Sequence, residues 1–262
     1  MRMPPVMEPA MRTVGERISA PVDASRRWFM QVAGAAALTL ASGQRALHAA
    51  SSASTRIGII GSGNVGSAIG RTWVNKGHEV MFSSRNPDHD KRLASQLGGK
   101  ARAGTPREAA SFGDVILFAV PYRALPDLGK DLANEIKGKV VIDACNPFPG
   151  RDGDIANWAR EKGAGLASAE LLPGARIVRA FNAIGAARMG SAHESPGEIG
   201  MPIAGDDQEA IEIASRLIRD VGYEPVLVGG LAMGRYLMPG TPLAGEHSPE
   251  QIRSIAAGLK SE

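Results

Sequence analysis

Apolar residues run without alternation through "TRIGII" (55–60) and "DVILFAV" (114–120). Unbroken aliphatic runs of this length predict strands covered on both faces. Further strands are predicted at "HEVMFSS" (78–84), near 100–103, and at "KVVIDACN" (139–146), "RIVRAFNA" (176–183), "MPIAGD" (201–206) and "EPVLVG" (224–229). Between them the apolar spacing lengthens to that of a helix. Val65, Ile69 and Trp73 share one face of "NVGSAIGRTWVNKG" (64–77), and Gly77 is the stop. Other helices are predicted over 88–99, from Pro106 with Thr105 as cap, over 125–136, over "DQEAIEIASRLIRDVG" and over "SPEQIRSIAAGL" with Ser248 as cap. Residues 150–175 read as loop and short helix. The alternation predicts an α/β fold: a Rossmann-type, doubly wound, mostly parallel sheet with helices on both faces and a small C-terminal extension. Residues 54–183 would form the dinucleotide-binding domain, and 184–262 would extend the same unit or form a small lobe.

The segment Gly61-x-Gly63-x-x-Gly66 follows the first strand and opens the first helix. The first glycine allows a tight turn, the second lets backbone approach a pyrophosphate, and the third lets helix and strand pack closely. From Arg56 to Ser83 the chain has the length of one βαβ unit. NAD sites place an acid at the end of the second strand. This chain has Ser83-Ser84-Arg85-Asn86 there, with no acid until Asp88 beyond Pro87. Hydroxyls and a guanidinium suit a 2′-phosphate, so NADP(H) is the expected cofactor.

"RIGIIGSGNVGSAIG", "VMFSSRNP", "DVILFAVPY", "VVIDACNP", "VRAFNAIG" and "MPIAGDDQEA" follow one another in an order that resembles the NADP oxidoreductases dependent on the deazaflavin coenzyme F420. That group is related to the N-terminal domain of pyrroline-5-carboxylate reductase. The resemblance spans about residues 55–240. It implies NADPH and direct hydride exchange with a deazaflavin. On matching positions it implies that Gly61, Ser62, Gly63, Asn64, Val65 and Gly66 hold the pyrophosphate. Ser83, Ser84 and Arg85 would hold the 2′-phosphate, and Ala119, Val120, Pro121 and Asn146 would face the nicotinamide.

Ligands in such sheets sit outside the carboxyl ends of the strands. Those ends supply Ser62, Ser83, Val120, Pro121, Asn146, Phe181 and Asn182, none an evident proton donor. Ring-to-ring hydride transfer needs stacking and dryness more than acid–base help. Carbonyl or imine reduction would need an acid, for which Tyr122 is the candidate; the alternative is a packing role at a helix start. Cys145 is either an inert core thiol or a redox group. His193, Glu194 and His247 lack metal-ligand spacing, and no metal is expected. The apolar segment 233–247 is either a pocket wall or a homodimer contact. The leading function is NADPH-dependent hydride transfer to a deazaflavin (F420), a flavin-like or another electron acceptor. A non-catalytic NADP-binding sensor or partner-binding module stands beside it.

Composition sharpens two points. With 44% hydrophobic residues, 5% aromatics and 32 glycines among 262, the chain suits a globular α/β core and not a base-stacking platform. Six arginines against three acids within residues 1–49 account for the whole formal charge of +3, so no nucleic-acid partner is read from it. Residues 1–53 read as a leader and linker. Ser25-Arg26-Arg27-Trp28-Phe29-Met30 opens an apolar run ending at Ala41, too short to span a bilayer stably, before small residues at Ala49, Ala50 and Ser51. That pattern fits a twin-arginine signal peptide, which implies a periplasmic or secreted protein carried folded, a route that permits cofactor loading before transport.

Overall fold

The computed structural model describes residues 54–259; the leader expected over residues 1–53 lies outside them. The chain opens with β1 (Arg56–Ile60), α1 (Asn64–Asn75), β2 (Glu79–Ser83), α2 (Pro87–Leu97) and β3 (Ala101–Ala103). Next come α3 (Pro106–Phe112), β4 (Val115–Phe118), α4 (Leu125–Asp131), α5 (Ala133–Ile136) and β5 (Val140–Asp143). Three short helices follow, α6 (Pro149–Asp152), α7 (Asp154–Lys162) and α8 (Ala164–Leu171), before β6 (Arg176–Arg179). The last elements are β7 (Gly200–Gly205), α9 (Gln208–Val221), β8 (Glu224–Gly229) and α10 (Pro249–Ala257).

The strands form one sheet in the order β3-β2-β1-β4-β5-β6-β7-β8. The first six are parallel, in the Rossmann order, as the alternating sequence predicts. Strand β7 runs antiparallel to β6, and β8 parallel to β7, so the later strands widen this sheet.

The apolar runs divide by parity. On one face Ile57, Ile59 and Leu117 pack with Ile69 and Trp73 of α1 and Leu217 of α9. On the other, Ile60, Ile116 and Phe118 pack with Tyr122, Leu125 and Ala167. Trp73 also donates its indole N–H to the Leu217 carbonyl at 2.8 Å, tying α1 to α9. Thr105 caps α3 and Ser248 caps α10, each with a reciprocal side-chain bond from the third helical residue.

The departures from the predicted elements have local causes. The predicted strands 114–120, 139–146 and 176–183 stop at Phe118, Asp143 and Arg179, because the chain leaves the sheet there to form the site. The stretch 150–175, expected as loop and short helix, holds three helices. They are short, and α7 and α8 each follow a glycine with positive φ, Gly153 and Gly163, so no long apolar period announces them. The helix predicted over 125–136 breaks at Leu132 (φ −106°, ψ 11°), whose side chain is buried in the second core cluster.

Candidate active site

Two adjoining hollows lie over the carboxyl edge of the sheet. The first, a groove of about 390 Å³, is walled by Gly61 and Gly63, by Ser83, Ser84 and Arg85 after β2, and by Ala119, Val120 and Pro121 after β4. Gly61 takes φ +103°, and a side chain there would meet the Val120 side chain and the Ala119 backbone. Gly66 faces the Gly61 carbonyl so closely that a Cβ would collide with it. Gly63 differs: an added Cβ would meet no atom within 4 Å. Open space over the N-cap of α1, with no capping side chain, leaves the first-turn N–H groups to a ligand's oxygens. This local geometry fits a pyrophosphate.

The serines are arranged otherwise than the sequence suggests. Ser83 is fully buried and donates its hydroxyl to the Ile59 carbonyl at 2.7 Å, so it is a strand tie and not a phosphate ligand. Its own carbonyl accepts from Gly61 N (2.9 Å) and Ser62 N (3.0 Å), which fixes the loop and commits those two amides. Ser62 is buried and donates its hydroxyl to Asp90. Ser84 donates to the other Asp90 oxygen at 2.8 Å and accepts from Asn86 N at 3.0 Å. Asp90 is fully buried, so an acid does stand near the second strand's end. It comes from the first turn of α2, on the face that carries Leu93, Ala94 and Leu97. An acid at a core-facing helical position was the available signal. Arg85 is exposed and has no ion pair among the described residues.

The second hollow, of about 600 Å³, shares Ala119, Val120 and Pro121 with the groove. Asn64, Val65, Asn146 and Asn182 also face it, as do Ile184 and Phe148. Pro239, Gly240, Ala244 and Gly245 close one side, which puts part of the segment 233–247 on the pocket wall.

Beneath this hollow lies a fully buried ion pair. Asp143 and Arg179 end neighbouring strands in register, and Arg179 donates to Asp143 at 2.5 Å. Its other nitrogen donates to the Cys145 carbonyl (3.1 Å) and toward the Asn146 side-chain oxygen (3.5 Å). Asn146 in turn donates to the Asn182 carbonyl at 2.8 Å, and Asn182 donates to the Cys145 carbonyl at 3.4 Å. Phe181, between them, has φ 65°, the one positive φ among described non-glycine residues. Its ring is held edge-on by Trp73 and Tyr223, with centroids 6.3 Å from each. This turn, clamped on the core side, presents Asn182 to the hollow. Among the described residues the buried Asn182 Oδ1 has no partner, an arrangement that a ligand N–H would complete.

Tyr122 does not reach the site. It is fully buried in the second cluster with its hydroxyl on Ser168 (3.1 Å) and the Ala164 carbonyl (3.3 Å), and burial pushes its phenol well above the usual range. Burial likewise raises the Cys145 thiol, which leaves it a core group. No cluster of three or more metal-ligating side chains occurs among the described residues.

Strand order, glycine loop and paired hollows define a Rossmann-type dinucleotide-binding protein. Residues 56–147 match the model of the family "NADP oxidoreductase coenzyme F420-dependent". The chain is 32% identical over 180 residues to Metalloreductase STEAP3 of Rattus norvegicus, covering 69% of this chain and 35% of that one. It is 28% identical over 204 residues to the F420-dependent NADP reductase of Methanothermobacter thermautotrophicus, covering 72% of this chain and 87% of the relative. Among solved structures, the hypothetical protein SMa0349 of Sinorhizobium meliloti superposes with a TM-score of 0.63 at 28% identity, covering 75% of this chain and 96% of its own. The chain thus spans about a third of the metalloreductase and most of the archaeal reductase.

Proposed function

We propose that the protein transfers hydride between NADP(H), held in the groove, and a flat ring acceptor in the adjoining hollow: deazaflavin F420 or a flavin. One observation carries the reading. Among the described residues, the wall of the hollow of about 600 Å³ contains no His, Tyr, Lys, Cys, Asp or Glu. Its polar members are asparagines and Arg151, and a guanidinium keeps its proton. Hydride exchange between two rings needs no local acid, whereas carbonyl or imine reduction does. The archaeal relative's name supports the F420 acceptor, and the metalloreductase's name adds a ferric acceptor to be tested.

The chain's own groups do three things here. The glycine loop and α1 would hold the pyrophosphate, and Arg85 the 2′-phosphate. Ala119, Val120 and Pro121 would form the floor that both ligands share. Asn146 and Asn182, fixed by Arg179, would orient a ring through its amide or imide N–H groups, while Phe181, Ile184 and Phe148 exclude water. The nicotinamide, when bound, supplies the hydride. Stopped-flow mixing of NADPH-loaded protein with F420, FMN and a ferric chelate tests the proposal: rapid loss of NADPH absorbance with a ring acceptor is expected. Oxidation by none of them would overturn it, and oxidation by the chelate alone would move the acceptor to a metal.

The leader supports export through the twin-arginine route, with the cofactor loaded before transport. Fractionation of the native host checks this; retention of the full-length chain in the cytoplasm would count against it.

A further inference from the structure

Asp90 lies wholly out of water, one side chain behind the groove wall, and among the described residues the one basic side chain within 4 Å of its carboxylate is His89. The His89 Nδ1 is 3.2 Å from one carboxylate oxygen, which also receives the Ser62 hydroxyl; the other oxygen receives the Ser84 hydroxyl at 2.8 Å. Among the described residues no lysine or arginine pairs with it within 4 Å, in contrast to Asp143 with Arg179. A hydroxyl has one proton to give. The bond to a carboxylate is the stronger of Ser84's two choices, since the Asn86 carbonyl stands 3.4 Å away. Ser84 therefore turns lone pairs, not a proton, toward the groove. An anion placed against Ser84 meets an oxygen without a free donor and a fixed negative charge behind it.

We propose that Asp90 is a positioning residue that limits the preference for NADP(H) over NAD(H), acting through the proton of Ser84. The inference rests on the groove holding the adenosine end of the cofactor. Arg85 pulls a 2′-phosphate in, Asp90 opposes it, and the selectivity of the site is set by their balance. A ribose hydroxyl, which can donate to Ser84, does not suffer this opposition. The glycine loop is coupled to the same group, because Ser62 hangs from the other carboxylate oxygen.

The test is the ratio of the dissociation constants for NADH and NADPH, measured by titration calorimetry on the full folded chain. Asp90→Asn keeps the shape and supplies one acceptor and one donor. One serine then gives its proton to the amide oxygen, while the other accepts from the amide nitrogen and regains a free proton. With the charge gone, NADPH affinity should rise and NADH affinity stay, so the ratio rises roughly tenfold. A merely structural role would weaken both ligands alike and leave the ratio still. A ratio within about twofold of wild type, or a falling one, overturns the inference. Asp90→Ser, neutral and small enough for water to fill the remainder, repeats the test if the amide is not tolerated. The wild-type protein supplies an independent arm: a preference for NADPH above about a thousandfold overturns the inference without any variant. If wild type binds neither dinucleotide, the cofactor reading fails and this inference with it. If it binds both and the ratio does not respond, this inference alone fails.

Discussion

Strand β6 carries an arginine at each end, and the two are used in opposite ways. Arg176, at the amino edge of the sheet, forks onto Asp207 at 2.6 and 2.8 Å and reaches Glu209 at 2.8 Å, all partly open to water. Arg179, three residues on at the carboxyl edge, is fully enclosed with Asp143. At the first site water already solvates the charges, so the pair adds little and serves mainly to seat the start of α9, whose N-cap is Asp207. At the second the charges are enclosed: Arg179 also donates to the Cys145 carbonyl, Ser168 and Asn146, and Asp143 accepts from the Cys145 N–H. Replacing such a pair by apolar groups is often neutral, but breaking it is severe. Burial without a stability advantage points to placement, and what Arg179 places is the Cys145 carbonyl and Asn146, hence Asn182. The same strand thus anchors a helix at one end and a ligand floor at the other.

The largest expected effect comes from breaking the buried end. Arg179→Met leaves Asp143 buried and unpaired, which should lower unfolding stability by about 3–5 kcal/mol in denaturant titration. Adding Asp143→Leu should recover most of that loss while leaving Asn146 and Asn182 unsupported. The double variant should therefore be stable yet slow in hydride transfer. A double variant with full activity would separate the ion pair from the site and undo the contrast between the two arginines.

That contrast also explains what the sequence revealed. The glycine loop was legible because its parts lie within six residues and each glycine answers a local demand: the turn at Gly61, the open approach at Gly63, the close packing at Gly66. The hollow beside it was not, although Asn146 and Asn182 were visible as strand-end residues. Asp143 and Arg179 each look misplaced inside an apolar run, but only the sheet order and register bring them opposite one another. Asp90 was hidden differently. Short-range pattern puts such an acid at the end of β2, whereas this one arrives from the following helix on its buried face. Ser83 shows the converse. Its place in the motif suggested a phosphate ligand, yet its hydroxyl is spent on the Ile59 carbonyl inside the sheet.

A smaller effect sharpens the division between groove and hollow. Asn182→Leu removes the Oδ1 offered to the ligand, together with the long 3.4 Å bond to the Cys145 carbonyl, while keeping bulk. Loss of one neutral hydrogen bond of about 0.5–1.5 kcal/mol should lower kcat/KM for the ring acceptor about threefold to tenfold. Binding of 2′,5′-ADP, which needs only the groove, should not move. Parallel losses in both assays would mean that the two hollows act as one site and that Asn182 supports their common floor.

The smallest effect belongs to the exposed end of β6, and its sign follows from charge. The Arg176 hydrogen bond, helped by the N-cap bond from Ala210, holds the Asp207 carboxyl below its ordinary 3.8, at about 2. A carboxylate depressed in the folded state binds fewer protons there than in the unfolded chain. Its contribution is complete above the ordinary value and is lost as the pH falls through about 2. Wild type should therefore lose thermal stability between pH 4 and pH 2 more steeply than Asp207→Asn, which keeps a capping oxygen but cannot titrate. Because both partners are solvated, the difference in Tm should be shallow and should shrink in high salt. An acid slope as steep as that of a buried pair would show that Arg176 is as enclosed in solution as Arg179. The two ends of the strand would then differ in neighbours alone, and burial would no longer explain why one of them builds a site.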